Sequence, residues 1–168
     1  MAGVLFRKAL VADIPMAWDI IVQAKAQMAR EDRCQWDETY PTYGLICSDV
    51  AAGRGYVLVE DDALVAYGVV AFDGEPAYQE IEGAWLSSQP YVVVHRLAVA
   101  QAAQGRGFAT CFLREAERLA RGKGVRSFRI DTNYDNLAML RVIERAGFTF
   151  CGHIRYEHGR RQAFEKCI

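Results

Sequence analysis

The chain has 168 residues, 52% hydrophobic and 24% charged, which supplies apolar surface for one globular core and excludes a disordered segment. Its formal net charge of -1 provides no basic field for capturing nucleic acid or an anionic membrane, so small or neutral partners are expected. No apolar run reaches the length of a membrane span, and the opening MAGVLFRKALVAD lacks a signal-peptide core, which together predict a cytoplasmic protein.

In chain order, FRKAL (Phe6–Leu10) reads as a first strand. Asp13 is placed to cap a helix with Pro15 in its first turn, and Ile14, Ala17, Trp18, Ile21 and Met28 recur at helical spacing. The segment DRCQWDETYPTY (Asp32–Tyr43) breaks that pattern, and a second helix is expected over Tyr43–Ala52 before Gly53 and Gly55 stop it. YVLVE (Tyr56–Glu60) and ALVAYGVVAF (Ala63–Phe72) form strands joined by a hairpin turn at Asp61 and Asp62. A long polar loop is expected over Asp73–Gln89. YVVVHRLAV (Tyr91–Val99) then reads as an apolar strand interrupted by His95 and Arg96.

QGRGFA (Gln104–Ala109) leads into an amphipathic helix whose buried face is expected to hold Phe108, Phe112, Ala116 and Leu119, with Gly122 and Gly124 ending it. SFRIDT (Ser127–Thr132) is the next strand and NLAMLRVIERA (Asn136–Ala146) the next helix. FTFCGHIRY and RQAFEKC close the chain as a hairpin around Gly159. The order βααβββαβαββ, with no repeat or linker, predicts one α/β (α+β) domain spanning 1–168 around a mixed sheet.

The five cysteines are scattered, with no CxxC pair, and read as reduced, small, buried hydrophobes. His95, His153 and His158 show no ligand spacing, so no metal is expected. The two glycines of QGRGFA are more informative. A tight turn from strand to helix aims backbone amides outward at the positive end of the helix dipole, which suits a phosphate; close packing of helix on sheet is the plain alternative. A GxxxxGK phosphate loop is absent. A dinucleotide GxGxxG fails because Thr110 stands where the third glycine belongs, and Asp131 is too far along for its acid.

QGRGFA does have the QxxGxA form of the coenzyme A loop of GNAT acetyltransferases. With HRLAV before it and NLAMLRVIERAGF after the next strand, the whole chain resembles that superfamily. The resemblance implies a mostly antiparallel mixed sheet splayed between its fourth and fifth strands, flanked by about four helices. It implies that the loop of Gln104, Gly105, Arg106, Gly107, Phe108, Ala109 and Thr110 holds the pyrophosphate of acetyl-CoA. Leu97, Ala98 and Val99 would pair with the pantetheine arm as an added strand would, and Asn136 would bond the same arm; a helix cap is its plain alternative, and one residue could serve both purposes. The implied activity is transfer of an acetyl group from acetyl-CoA to a primary amine, of a small molecule, by direct attack in a ternary complex. A non-catalytic acyl-CoA-binding module and a protein N-terminal or lysine acetyltransferase are the alternatives.

Such chemistry sets requirements. An alkylammonium with a pKa near ~10 must lose a proton before it attacks. His95 is the candidate base, matching a histidine in some arylalkylamine-acetylating relatives, though a structural role serves it equally; Glu80 and Glu82 are alternatives acting through water. The backbone amide of Leu97 or Ala98 is expected to stabilise charge on the carbonyl oxygen. Ile143 occupies the position where the family often has a tyrosine acid, which leaves Tyr134, Tyr156 or water to protonate the thiolate. Trp36, Asp37, Glu38, Tyr40 and Tyr43, with Trp85 later, offer an aromatic and acidic mixture suited to a cationic acceptor, or else anchors for long loops. Exposed edges of the C-terminal hairpin permit a homodimer.

Overall fold

One stripe of α1 (Ile14–Arg30) carries Ile14, Ala17, Ile20, Ile21 and Met28 into the interior, as a three-to-four-residue apolar period requires. The computed structural model describes Met1 and residues 3–168. The other helices are α2 (Tyr43–Ala51), α3 (Phe108–Gly122) and α4 (Leu137–Arg145). The strands are β1 (Val4–Lys8), β2 (Gly55–Glu60), β3 (Ala63–Ala71), β4 (Glu82–Gly83), β5 (Tyr91–Val99), β6 (Ser127–Thr132), β7 (Thr149–Tyr156) and β8 (Gly159–Cys167).

They form one open mixed sheet in the order β1-β2-β3-β5-β6-β8-β7-β4. Antiparallel pairing joins β1 to β2, β2 to β3, β6 to β8, β8 to β7 and β7 to β4. β5 and β6 run parallel, in a register of Tyr91–Val93 against Ser127–Arg129. The short β4 was not expected, so the expected parting between the fourth and fifth strands falls, in this numbering, after the β5–β6 pairing. Asp61 and Asp62 have φ values of 48° and 62°, the paired left-handed conformation of a two-residue hairpin.

The chain separates into two compact units, Met1–Val70 with His95–Glu115 and Ala71–Val94 with Ala116–Ile168. In the first, Phe112 is fully buried and meets Phe6 edge-on at 5.4 Å. Gly68 of β3 leaves room for that ring: a Cβ there would lie 2.6 Å from Phe112 Cζ. In the second, the fully buried Glu165 of β8 accepts hydrogen bonds from Ser127 Oγ (2.6 Å), Arg129 Nε (3.0 Å) and the backbone and side chain of Ser87 (3.1 Å each). Burial pushes its carboxyl up, but the bonds from Ser127 and Arg129 and the Arg129 charge outweigh that and hold it below the usual range. Arg129 in turn lies 4.2 Å from the ring centre of Trp85 and 4.1 Å from that of Tyr91.

Four local expectations change. Asp13 makes no cap bond to α1; its carboxylate accepts from Arg7 (2.7 and 3.1 Å) and from the Leu10 amide (2.6 Å), closing the turn of Val11–Asp13 before the helix. The polar segment after Phe72 is not structureless but holds a helical turn, Pro76–Glu80, and β4. Leu119 is only half-buried, and the inward face of α3 includes Leu113 and Ala120. All five cysteines are free thiols, but Cys34 and Cys167 are exposed and the other three half-buried, so none is a core hydrophobe. Replacing Gly68 by Ala should destabilise the protein by about 1–3 kcal/mol through overpacking against Phe112, read as a lower urea midpoint at unchanged m-value. An unchanged midpoint would show that the ring can move aside.

Candidate active site

Between β5 and α3 the chain makes a short helical turn, Gln101–Ala103, and then the glycine loop. Gly105 and Gly107 have φ values of 76° and 83°, a region that side-chain-bearing residues occupy only with strain. A Cβ at Gly105 would meet nothing within 4 Å, and one at Gly107 only Met1 Cε at 3.9 Å, so open space lies over the loop. Phe108, 1% exposed, anchors the start of α3, whose first amides have no carbonyl one turn earlier to bond. Two side chains one turn apart on α1 hold the loop in place. Gln23 Oε1 accepts from the Gln101 amide and Gln27 Oε1 from Gln104 Nε2, each at 2.8 Å. Arg106 pairs with Glu60 at 2.9 Å and lies over the Phe108 ring. This loop fits a diphosphate: small residues, open space and the positive end of a fifteen-residue helix coincide.

Ahead of the loop, β5 is not a regular strand. Arg96 has a φ of 51°, the left-handed region, in the middle of it. Its guanidinium donates to both carboxylate oxygens of Asp49 on α2 at 2.9 Å, and to the Tyr40 hydroxyl at 3.0 Å. The Asp49 side chain is fully buried and that of Arg96 12% exposed. A fixed kink of this kind re-aims the following backbone, which here is Leu97, Ala98 and Val99. His95, half-buried, immediately precedes the kink.

The structure distributes the other candidates widely. Tyr40 is engaged by Arg96, and Trp36 is buried at 7% exposure, an anchor for its loop. The Trp85 indole donates to the Tyr78 carbonyl at 2.8 Å, and the cation against its face is the chain's own Arg129. Glu82 is exposed and paired with Arg155 at 2.8 Å and Arg160 at 3.2 Å; the bond from Arg155, with both guanidinium charges, holds its carboxyl below the usual range and makes it a poor base. Tyr134 is 66% exposed. Asn136 caps α4, its side-chain oxygen accepting from the Met139 amide at 3.3 Å. Ile143 is fully buried, so no proton donor reaches the site from there. Among the described residues no group of three or more His, Cys, Asp or Glu could hold a metal, and no helix is long and apolar enough to cross a membrane.

Sequence reasoning missed Asp49, Gln23 and Gln27. Asp49 had a signal: it lies between Ile46 and Val50 on the inward face of α2, where an unpaired charge is untenable. Arg96→Ala should lower stability by about 3–5 kcal/mol, because Asp49 would stay buried without its partner. Urea unfolding measures it, and a loss below about 1 kcal/mol would show that water reaches Asp49.

The acetyltransferase (GNAT) family model matches residues 21–148. A GNAT-family acetyltransferase from Streptococcus agalactiae aligns with TM-score 0.90 and 31% identity over 99% of this chain and 96% of its own. A Salmonella typhimurium protein solved with its cofactor acetyl-CoA aligns with TM-score 0.70 and 16% identity over 98% and 94%. An agmatine N-acetyltransferase aligns with TM-score 0.70 and 16% identity over 99% and 100%. A search of curated proteins finds no match. The family match over most of the sequence and the shared fold, together with the open glycine loop, make this chain an acyltransferase that belongs to the GNAT family of acetyl-CoA-dependent acetyltransferases.

Proposed function

We propose that the enzyme acetylates a primary amine of a small molecule while donor and acceptor are bound together. The observation that carries the donor half of this reading is the pre-shaped glycine loop at the start of α3, preceded by the kinked end of β5. The backbone of Gln104, Gly105, Arg106, Gly107, Phe108, Ala109 and Thr110 would hold the diphosphate, and Leu97–Val99 the pantetheine arm, with Asn136 adding a side-chain contact. Bound acetyl-CoA supplies a thioester, an acyl group already activated toward an amine. An agmatine-acetylating enzyme shares the fold, which supports an amine acceptor.

The chain's own groups perform three tasks. The Leu97 amide, aimed by the Arg96 kink, stabilises negative charge on the carbonyl oxygen. A side chain must accept the acceptor's proton; His95 sits beside the kink, whereas Glu82 is disfavoured by its two arginines. Tyr134 or water returns a proton to the thiolate, a leaving group with a reference pKa near ~8.5. Of the acceptor candidates, Trp36 and Tyr40 belong to the loop ahead of α2 and Trp85 to the segment before β5, and each is already buried or bonded within the protein.

The test is thiol release from acetyl-CoA across spermidine, agmatine, phenethylamine, amino acids and a peptide. Turnover with at least one small amine is expected; a protein that acetylates only the peptide, or nothing, sinks the small-amine reading. Gly107→Asp places a charged side chain on a left-handed position over the loop and should weaken acetyl-CoA binding about tenfold or more by calorimetry. Unaltered affinity would move the diphosphate elsewhere.

A further inference from the structure

We propose that Asp131, near the end of β6, meets the acceptor's ammonium and takes its proton, with Tyr78 and Tyr156 as positioning residues; this rests on the amine reading above. Ser127, Arg129 and Asp131 alternate onto one face of β6, and the parallel pairing with β5 stops at Arg129. Asp131 therefore lies beyond the part of the strand that β5 covers. Its other flank is paired with Ala163 of β8.

Two phenols fix the carboxylate. Tyr78 Oη donates to Oδ2 at 2.6 Å and Tyr156 Oη to the same oxygen at 3.1 Å, so both phenols hold one side of the carboxylate. Tyr78 is 1% exposed and wedged between Trp85 and Tyr91, with ring centres 5.0 and 5.9 Å away, so it cannot swing off. Asp131 itself stays partly accessible. Around it, Ala77, Ile81, Trp85, Tyr91 and Tyr156 pack on the buried cluster of Tyr78, Val93, Ile154 and Ala163, an apolar and aromatic wall suited to the hydrocarbon of an alkyl- or arylalkylamine.

The electrostatics agree with that geometry. The Asp131 carboxyl stands raised to about 6: burial, with a smaller push from Glu75, drives it up further than the Tyr78 and Tyr156 bonds and the Arg161 charge pull it down. Tyr78's phenol is driven well above its ordinary range by burial and by Asp131, so it remains a donor. A carboxylate that is charged at neutral pH yet basic enough to hold a proton is matched to proton abstraction. In the step, one N–H bond of the acceptor breaks and an Oδ1–H bond forms, the electron pair stays on nitrogen for attack on carbon, and the acid then returns its proton to water.

The experiment is the pH profile of kcat/KM with the best amine of the panel. Wild-type activity should fall on the acid side of an inflection near 6. Asp131→Asn, which keeps an acceptor for both phenols, should lower kcat about 100-fold and abolish that inflection with acetyl-CoA affinity unchanged. Tyr156→Phe removes a bond that lowers the carboxyl, so its inflection should move to higher pH. Retention of the inflection in Asp131→Asn, or its loss in His95→Asn alone, would overturn the proposal. Carboxyl carbon-13 NMR of aspartate-labelled protein gives a readout free of turnover: phenethylamine should shift the Asp131 resonance, and an unmoved resonance counts against the assignment. Wild-type protein inert toward every amine fails the acetylation reading, while the resonance still decides whether an amine meets Asp131.

Discussion

The course of β5 past Val94 depends on one ion pair. An arginine in the left-handed region costs about 1–3 kcal/mol relative to an ordinary strand residue, and nothing in Arg96's own chemistry favours it there. Two charge-assisted bonds to Asp49 and a third to Tyr40 over-determine the conformation. The dependence is mutual, since Asp49 is sealed from water and tolerable only with the guanidinium against it. Here α2 reaches into the strand through one side chain, and the backbone that follows, Leu97–Val99, is re-aimed by the kink.

In the second unit, three carboxylates of ordinary intrinsic acidity are sorted by surroundings alone. Glu82, in water between two arginines, is held ionised and inert. Glu165, buried under converging donors, is also held ionised and ties β8 to the segment before β5. Asp131 has phenols where Glu165 has a guanidinium, and weak neutral donors compensate burial less than a fixed charge does. Burial answered by a bonded guanidinium leaves Glu165 below the usual range, whereas burial answered by two phenols and the Arg161 charge leaves Asp131 above it.

Much of this was legible in the residues. Apolar periodicity located α1, α3 and all the long strands, and Asp61-Asp62 announced its hairpin through turn chemistry. The glycine loop was legible because a left-handed backbone turn before a helix leaves a local glycine signature. What failed to show were pairings between distant positions. Arg96 read as an interruption of YVVVHRLAV, and Asp49 as an unremarked polar residue, since a sequence separation of 47 hides their contact. Asp13 looked like a helix cap because its spacing allows that, but Arg7 on β1 offered a stronger partner. Trp85 read as a ring for an acceptor's cation or as a loop anchor; no local pattern announces that Arg129, on a distant strand, lies against its face.

The glutamine clasp on the glycine loop has a thermodynamic consequence. Gln23 and Gln27 hold the turn from α1, a helix remote from the loop in sequence. Ordering of the loop is therefore completed during folding, and capture of the donor need not freeze additional backbone. On the proposed reading, affinity for the donor is partly a property of α1, and substitutions at Gln23 or Gln27 would retune it without altering any residue of the loop itself.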